Sequence, residues 1–160
     1  MKKFKYRDGI FLLVQDVVDT LESYKYNDLD FKESGGVLMG RYLKDSYNIV
    51  VDKVTIPLPS DTRSYSHYYR SEGHQDYIER EYYASDGTCN YIGEWHSHPC
   101  GINNHSSVDL KSWMNKLELN LDFFPEYPLF FIIVCEYKIR VWEGFKKIKI
   151  IKELEETIDL

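Results

Sequence analysis

Apolar and polar positions change period several times along the chain, and each change marks an element. The β-prone runs at residues 3–6 and 10–14 flank Arg7-Asp8-Gly9, the signature of a hairpin. Val14, Val17, Val18, Leu21 and Tyr24 then recur at helical spacing, which predicts an amphipathic helix over residues 15–26. Gly35-Gly36 interrupts the chain before Val37-Leu38-Met39, a short buried strand. Residues 48–56 are β-branched and partly alternating, a second strand stopped by Pro57 and Pro59. Residues 57–73 are polar, bear tyrosines and have no period; they read as a surface loop or a substrate-facing flap. A helix is predicted over 75–85, ended by Asp86-Gly87, then a strand over 91–98 stopped by Pro99 and a loop over 99–105. Leu110, Met114, Leu117 and Leu121 share one face of a helix over 108–121. The apolar runs 129–135 and 139–145 predict a second hairpin, 148–151 an edge strand, and the acidic stretch 153–156 a solvated tail. Strands interspersed with helices predict an α/β fold with a mixed sheet in one domain over residues 1–160.

Composition narrows the function classes. A chain of 160 residues, 43% of them hydrophobic, can bury roughly two-thirds of its unfolded surface and is too apolar to be disordered. A net charge of −6 argues against a sequence-independent grip on nucleic acid. No apolar run approaches the roughly 18 residues of a membrane span, and no apolar stretch with a cleavage site follows the basic N-terminus, so an export signal is not expected. Cys89, Cys100 and Cys135 form no C-x-x-C pair; a disulfide framework or thiolate zinc site is not expected, and the compartment reads as reducing and cytoplasmic.

The chemistry concentrates at His96 and His98. Positions i and i+2 of a strand face the same way, so both imidazoles project together, and Pro99 places them at a strand end. Ser106-Ser107-Val108-Asp109 has the form of a capping box, with Ser106 as N-cap and Asp109 at the third helical position. Capping and chemistry are compatible, because a rigid first turn can turn a carboxylate towards the strand end. A His-His-Asp set with one open position is the pattern of a catalytic zinc. Activating water there needs a carboxylate base, and Glu33, Glu94 and Asp86 stand level on spacing alone. Cys100 as a nucleophile, with His98 or His105 as base, is a competing reading. A metallo-β-lactamase pattern fails because position 100 is Cys rather than Asp, and a zinc-deaminase pattern fails for want of H-x-E and P-C-x-x-C. Trp95 faces away from the histidine pair and is expected in the core; His67 and His74 are expected at the surface.

His96-Ser97-His98, seven residues, Ser106, two residues and Asp109 resemble the JAMM motif of the MPN/JAB-domain metalloproteases. Glu33-Ser34-Gly35-Gly36-Val37-Leu38-Met39-Gly40 is similar to the family's glutamate-bearing segment, and the words around Trp95 to its stand-alone prokaryotic branch. The resemblance spans about residues 10–145. It implies an MPN/JAB-like, cytidine-deaminase-like mixed β-sheet flanked by helices. It also implies one Zn2+ held by His96, His98 and Asp109, with Glu33 as general base and Ser106 as oxyanion donor. The implied reaction is hydrolysis of an isopeptide or peptide bond after the C-terminus of a conjugated protein. The chain most resembles the deconjugating isopeptidases of bacterial CBASS anti-phage operons. That branch implies a nucleotidyltransferase tail as substrate, with activating and conjugating enzymes encoded nearby. A ubiquitin-like or sulfur-carrier substrate, and a metal-free scaffold, are the alternatives. Arg63 and Arg70 are candidates to hold the substrate if residues 57–73 form a flap.

Overall fold

The computed structural model describes residues 1–7, 9–25, 32–99 and 101–158. Strands β1 (Lys2–Tyr6) and β2 (Gly9–Leu13) form the expected hairpin, with Tyr6 opposite Gly9; Asp8 lies outside the described residues. Helix α1 (Gln15–Glu22) buries Val17, Val18 and Leu21, the face its periodicity marks. It ends earlier than predicted because Ser23, whose hydroxyl bonds the Thr20 carbonyl, caps it; Tyr26, the predicted end, is outside the described residues.

Strand β3 (Gly35–Tyr42) is longer than predicted, since Gly35 and Gly36 begin it rather than break the chain before it. They are glycine because the surroundings leave no room for a Cβ. One on Gly36 would lie 2.2 Å from the Thr55 carbonyl oxygen, and one on Gly35 2.4 Å from the Tyr68 ring. Strand β4 (Ile49–Val54) follows, and residues 57–73 contain the short hairpin β5 (Thr62–Arg63) and β6 (Tyr68–Tyr69). Then come α2 (Gly73–Ala84), β7 (Asn90–Ser97), α3 (Ser107–Leu119), β8 (Leu129–Val134), β9 (Ile139–Phe145), β10 (Ile150–Glu153) and β11 (Glu155–Glu156).

Nine strands form one mixed sheet in the order β10-β9-β8-β7-β3-β4-β2-β1-β11. The acidic tail, expected only to be solvated, closes it: Leu154 alone separates β10, paired with β9, from β11, paired with β1 at the opposite edge. Its N–H donates to the Val141 carbonyl at 2.8 Å, and its buried side chain fills the gap, so the sheet curls into a nearly closed barrel. The glutamates remain exposed while their backbone pairs.

The interior strand β8 is buried along its whole length because both its faces are covered. Phe130 turns into the inner core, stacked at 4.1 Å on Phe11 beside the α1 residues. Phe131 turns outward under α3, stacked at 4.9 Å on Trp113. These two layers fix β7 between β3 and β8 and seat the start of α3 beside the end of β7.

Candidate metal centre

His96 and Glu94 project from one face of β7, as the two-residue period requires; Trp95 projects from the other into the core, where its Nε1–H donates to the Thr55 carbonyl at 2.9 Å. Pro99 has no N–H to extend the ladder, so the last bond of the strand runs from His98 N to the Val134 carbonyl. Across from this strand end α3 begins. Ser106 Oγ accepts from Asp109 N at 3.1 Å and Asp109 Oδ2 accepts from Ser106 N at 2.6 Å, the expected capping box. The box locks the Asp109 carboxylate in place: Oδ1 lies 3.1 Å from His96 Nε2 and Oδ2 3.3 Å from His98 Nε2. The two Nε2 atoms are 3.0 Å apart.

Among the three level candidates, the acid beside this pair is Glu33. Its buried carboxyl lies 3.7 Å from His98 Nε2, and it forms with His96 and His98 a group whose donor atoms all fall within 4.8 Å. Glu94 lines the same cleft but is bound to Arg70 Nε at 2.9 Å, the Tyr91 hydroxyl at 3.1 Å and Lys116 Nζ at 3.2 Å. Asp86 occupies the left-handed turn after α2.

The site is electrically polarised. Burial pushes the Glu33 carboxyl up to about 7, with His98 pulling down and Asp109 pushing up. For Asp109 burial also raises the pKa, but hydrogen bonds from His96 and His98 overcome it and hold the group well below the carboxylate range. His98 is opposed by burial, yet Asp109 and Glu33 raise it.

Nitrogen and carboxylate donors facing one point suit a divalent ion. Tetrahedral zinc with arms of about 2.0–2.1 Å spaces its ligand atoms roughly 3.3 Å apart. The His–His and His–Asp separations of 3.0, 3.1 and 3.3 Å match that spacing. The donor set therefore fits the ion. Cys100, the alternative nucleophile, lies outside the described residues; its possible base His105 packs its ring edgewise on Trp113 and Trp142.

Residues 27–144 match the profile of the prokaryotic homologs of the JAB domain. The chain belongs to the prokaryotic JAB-domain family. Proteins named CD-NTase/cGAS isopeptidase are similar to it. The Escherichia coli protein is 30% identical over 143 residues, covering 89% of this chain and 85% of that one. The Vibrio cholerae protein is 31% identical over 111 residues, covering 69% and 70%. The solution structure of a protein from Desulfitobacterium hafniense shares the fold with a TM-score of 0.62 at 19% identity, over 89% and 88% of the two chains. The expected MPN/JAB-like mixed sheet is thus the observed one. No helix among the described residues of this JAB domain is long and apolar enough to cross a membrane.

In this JAB domain the stretch 57–73 is more ordered than its sequence suggests. Its β5–β6 hairpin lines the cleft through Ser66, His67, Tyr68 and Tyr69, alongside Glu33, His96 and Asp109. Two-residue strands are too short to show a period, which is why the sequence reads as a loop. Neither candidate arginine points only to solvent. Arg63 Nε donates to the Glu33 carbonyl at 2.8 Å and its Nη2 to Ser34 Oγ at 2.6 Å; Arg70 pairs with Glu94. His74, expected at the surface, is instead fully buried, and His67 is half-buried against Tyr69. The reason is a polar network that sequence spacing does not reveal. His74 Nδ1 meets Thr55 Oγ1 at 2.6 Å and its Nε2 meets Asp61 Oδ2 at 2.9 Å. The Asp61 carboxylate also accepts from Tyr68 OH, Leu58 N and Ser71 N.

That network makes the JAB domain acid-sensitive at one identifiable group. Burial alone would raise the Asp61 pKa, but hydrogen bonds from His74, Leu58 and Ser71 hold it well below the usual range. A depressed folded pKa contributes stability that is complete above the unfolded value near ~4 and lost as pH falls below it. Asp61→Asn is expected to cost about 2–4 kcal/mol at neutral pH. In urea titrations the gap between variant and parent should narrow between neutral pH and about pH 3.

Proposed function

We propose that the chain is a zinc-dependent isopeptidase that cuts the bond after the C-terminus of a conjugated nucleotidyltransferase, reversing conjugation in a CBASS-type defence system. One observation carries this reading: the Nε2 atoms of His96 and His98, the Asp109 carboxylate and the Glu33 carboxyl converge at one end of an open cleft. The substrate class follows from the relatives named CD-NTase/cGAS isopeptidase.

His96, His98 and Asp109 would hold the ion. When bound, zinc supplies a Lewis acid that polarises the scissile carbonyl and acidifies water at neutral pH. The Glu33 carboxylate takes the proton of the attacking water as the new C–O bond forms. It then delivers that proton to the amine nitrogen as the C–N bond breaks, so the base is regenerated. Ser106 Oγ accepts from Asp109 N and retains its own hydrogen to donate to the carbonyl oxygen as negative charge builds there. No side-chain nucleophile is required.

The test uses a nucleotidyltransferase of the CD-NTase class whose C-terminus is joined to a lysine ε-amine. The purified protein is expected to carry one zinc per chain and to release the intact C-terminus, identified by mass. A chelator should stop the reaction and added zinc restore it. Cleavage of a ubiquitin-like conjugate instead would change the substrate; a protein that binds no zinc and cuts neither conjugate is a scaffold.

A further inference from the structure

We propose that Arg63 is a positioning residue for Glu33: reaching in from the β5–β6 hairpin, its guanidinium grips the Glu33 carbonyl and the Ser34 hydroxyl and so aims the Glu33 carboxyl at His98. The proposal rests on the reading of Glu33 as the base.

Glu33 stands just outside the sheet, since β3 begins at Gly35. The hairpin takes up its backbone instead. The Glu33 N–H donates to the Ser64 carbonyl at 2.8 Å, and the Glu33 carbonyl accepts from Arg63 Nε at 2.8 Å. Both polar atoms of one peptide segment are thus held by two consecutive hairpin residues. Arg63 Nη2 reaches Ser34 Oγ at 2.6 Å. Ser34 is in turn locked to Ser97, the residue between the two histidines: Ser34 N donates to Ser97 Oγ at 2.9 Å and Ser97 N to the Ser34 carbonyl at 2.8 Å. The chain of bonds therefore runs from Arg63 through Glu33 and Ser34 to Ser97 in the His96–His98 strand end. Strand alternation points Ser97 away from the histidines and towards Ser34, so catalytic and positioning residues alternate along one strand.

The hairpin itself is anchored from behind. Asp61 precedes β5 and accepts from Tyr68 OH in β6, while the Tyr68 ring packs into the space that Gly35 leaves open. A planar fork presenting two donors to two adjacent acceptors is arginine geometry; lysine offers a point charge and cannot span both. This separates positioning from recognition of an acidic substrate, for which the charge alone suffices.

The experiment compares Arg63→Ala, Arg63→Lys and Ser34→Ala in the zinc-loaded protein with the conjugate described above. Expected are a kcat lowered roughly 10- to 100-fold by Arg63→Ala and nearly as far by Arg63→Lys, with KM within about twofold, because a small misplacement of a reacting group costs that much. Ser34→Ala, which removes only the Nη2 acceptor, should lose less. Each variant should keep one zinc per chain. In a Glu33→Gln background, Arg63→Ala should lower the residual rate less than about twofold, since the two act as a unit. The affinity of that double variant for a labelled peptide of the nucleotidyltransferase tail should equal that of Glu33→Gln alone.

A raised KM at unchanged kcat, weaker tail binding, or full activity in Arg63→Lys would overturn the proposal and make Arg63 a substrate-holding residue. If Arg63→Ala does not fold, Arg63→Lys and Ser34→Ala decide by the same split of kcat from KM. Failure of the underlying functional reading looks different: an inactive parent, or a Glu33→Gln variant with unimpaired turnover. Unchanged kcat in Arg63→Ala, in an enzyme that Glu33→Gln inactivates, defeats the positioning role alone.

Discussion

Asp109→Ala is expected to leave the folded chain without stoichiometric zinc and without measurable cleavage. Among the described residues, Asp109 is the carboxylate that touches both imidazoles from the α3 side, at 3.1 and 3.3 Å, and its own direction is set by the capping box. Loss of a residue that merely orients a ligand costs about 10–100-fold in metal affinity, so loss of a ligand should exceed about 100-fold. The substitution also removes half of the capping box, a stability cost of about 1 kcal/mol that must be kept apart from metal loss. Asp109→Asn does this, because the amide oxygen can still accept from Ser106 N while the charge is gone. Metal analysis after gel filtration should find both variants depleted, with the asparagine variant melting closer to the parent in the presence of chelator. His96→Ala should behave as Asp109→Ala does without touching the cap. One zinc per chain retained in Asp109→Ala would assign the third ligand to Glu33, whose carboxyl lies with both histidines inside the same 4.8 Å group.

The parts of this centre that were legible in the sequence are those fixed by local geometry. His96 and His98 share a face because β7 is regular to its end, and Pro99 marks that end. Ser106 and Asp109 belong to one helical turn whose capping box is readable without any tertiary knowledge. Glu33 is different. Its proximity to His98 depends on β3 pairing with β7 in the register that sets Gly35 opposite His96, a contact between segments some sixty positions apart. Periodicity carries no information about register, so Glu33, Glu94 and Asp86 could be ranked only by resemblance to the family. The hairpin over 62–69, the Asp61–His74 network and β11 were hidden for related reasons. The hairpin strands are two residues each, the network is polar, and β11 is held by backbone pairing with β1 at the other end of the chain, so none has the apolar repeat from which elements are read. The two glycines show the converse error. Read as a break, they are strand residues whose missing side chains admit Thr55 and Tyr68.

Glu33→Gln is expected to keep one zinc per chain and lose at least ~10²-fold in kcat, the usual worth of a positioned general base. The amide preserves the shape of the side chain and the backbone bonds to Ser64 and Arg63, but it cannot take up a proton from water and hand it on. Stability should not fall, since a neutral amide at a site 6% exposed replaces a group whose charge is costly to bury. Single-turnover cleavage with saturating enzyme isolates the chemical step, and a tail-binding measurement on the same protein shows whether substrate still docks. Both are needed, because a variant that binds but does not cut identifies a proton-transfer role, whereas one that fails to bind identifies a contact. Near-parental turnover would move the base to Glu94, the remaining carboxylate among the described cleft residues. That assignment would require Glu94 to reach the water while its carboxylate is already engaged by Arg70, Tyr91 and Lys116. Glu33, which the hairpin holds by its backbone and whose carboxyl lies 3.7 Å from His98 Nε2, is the better-placed base.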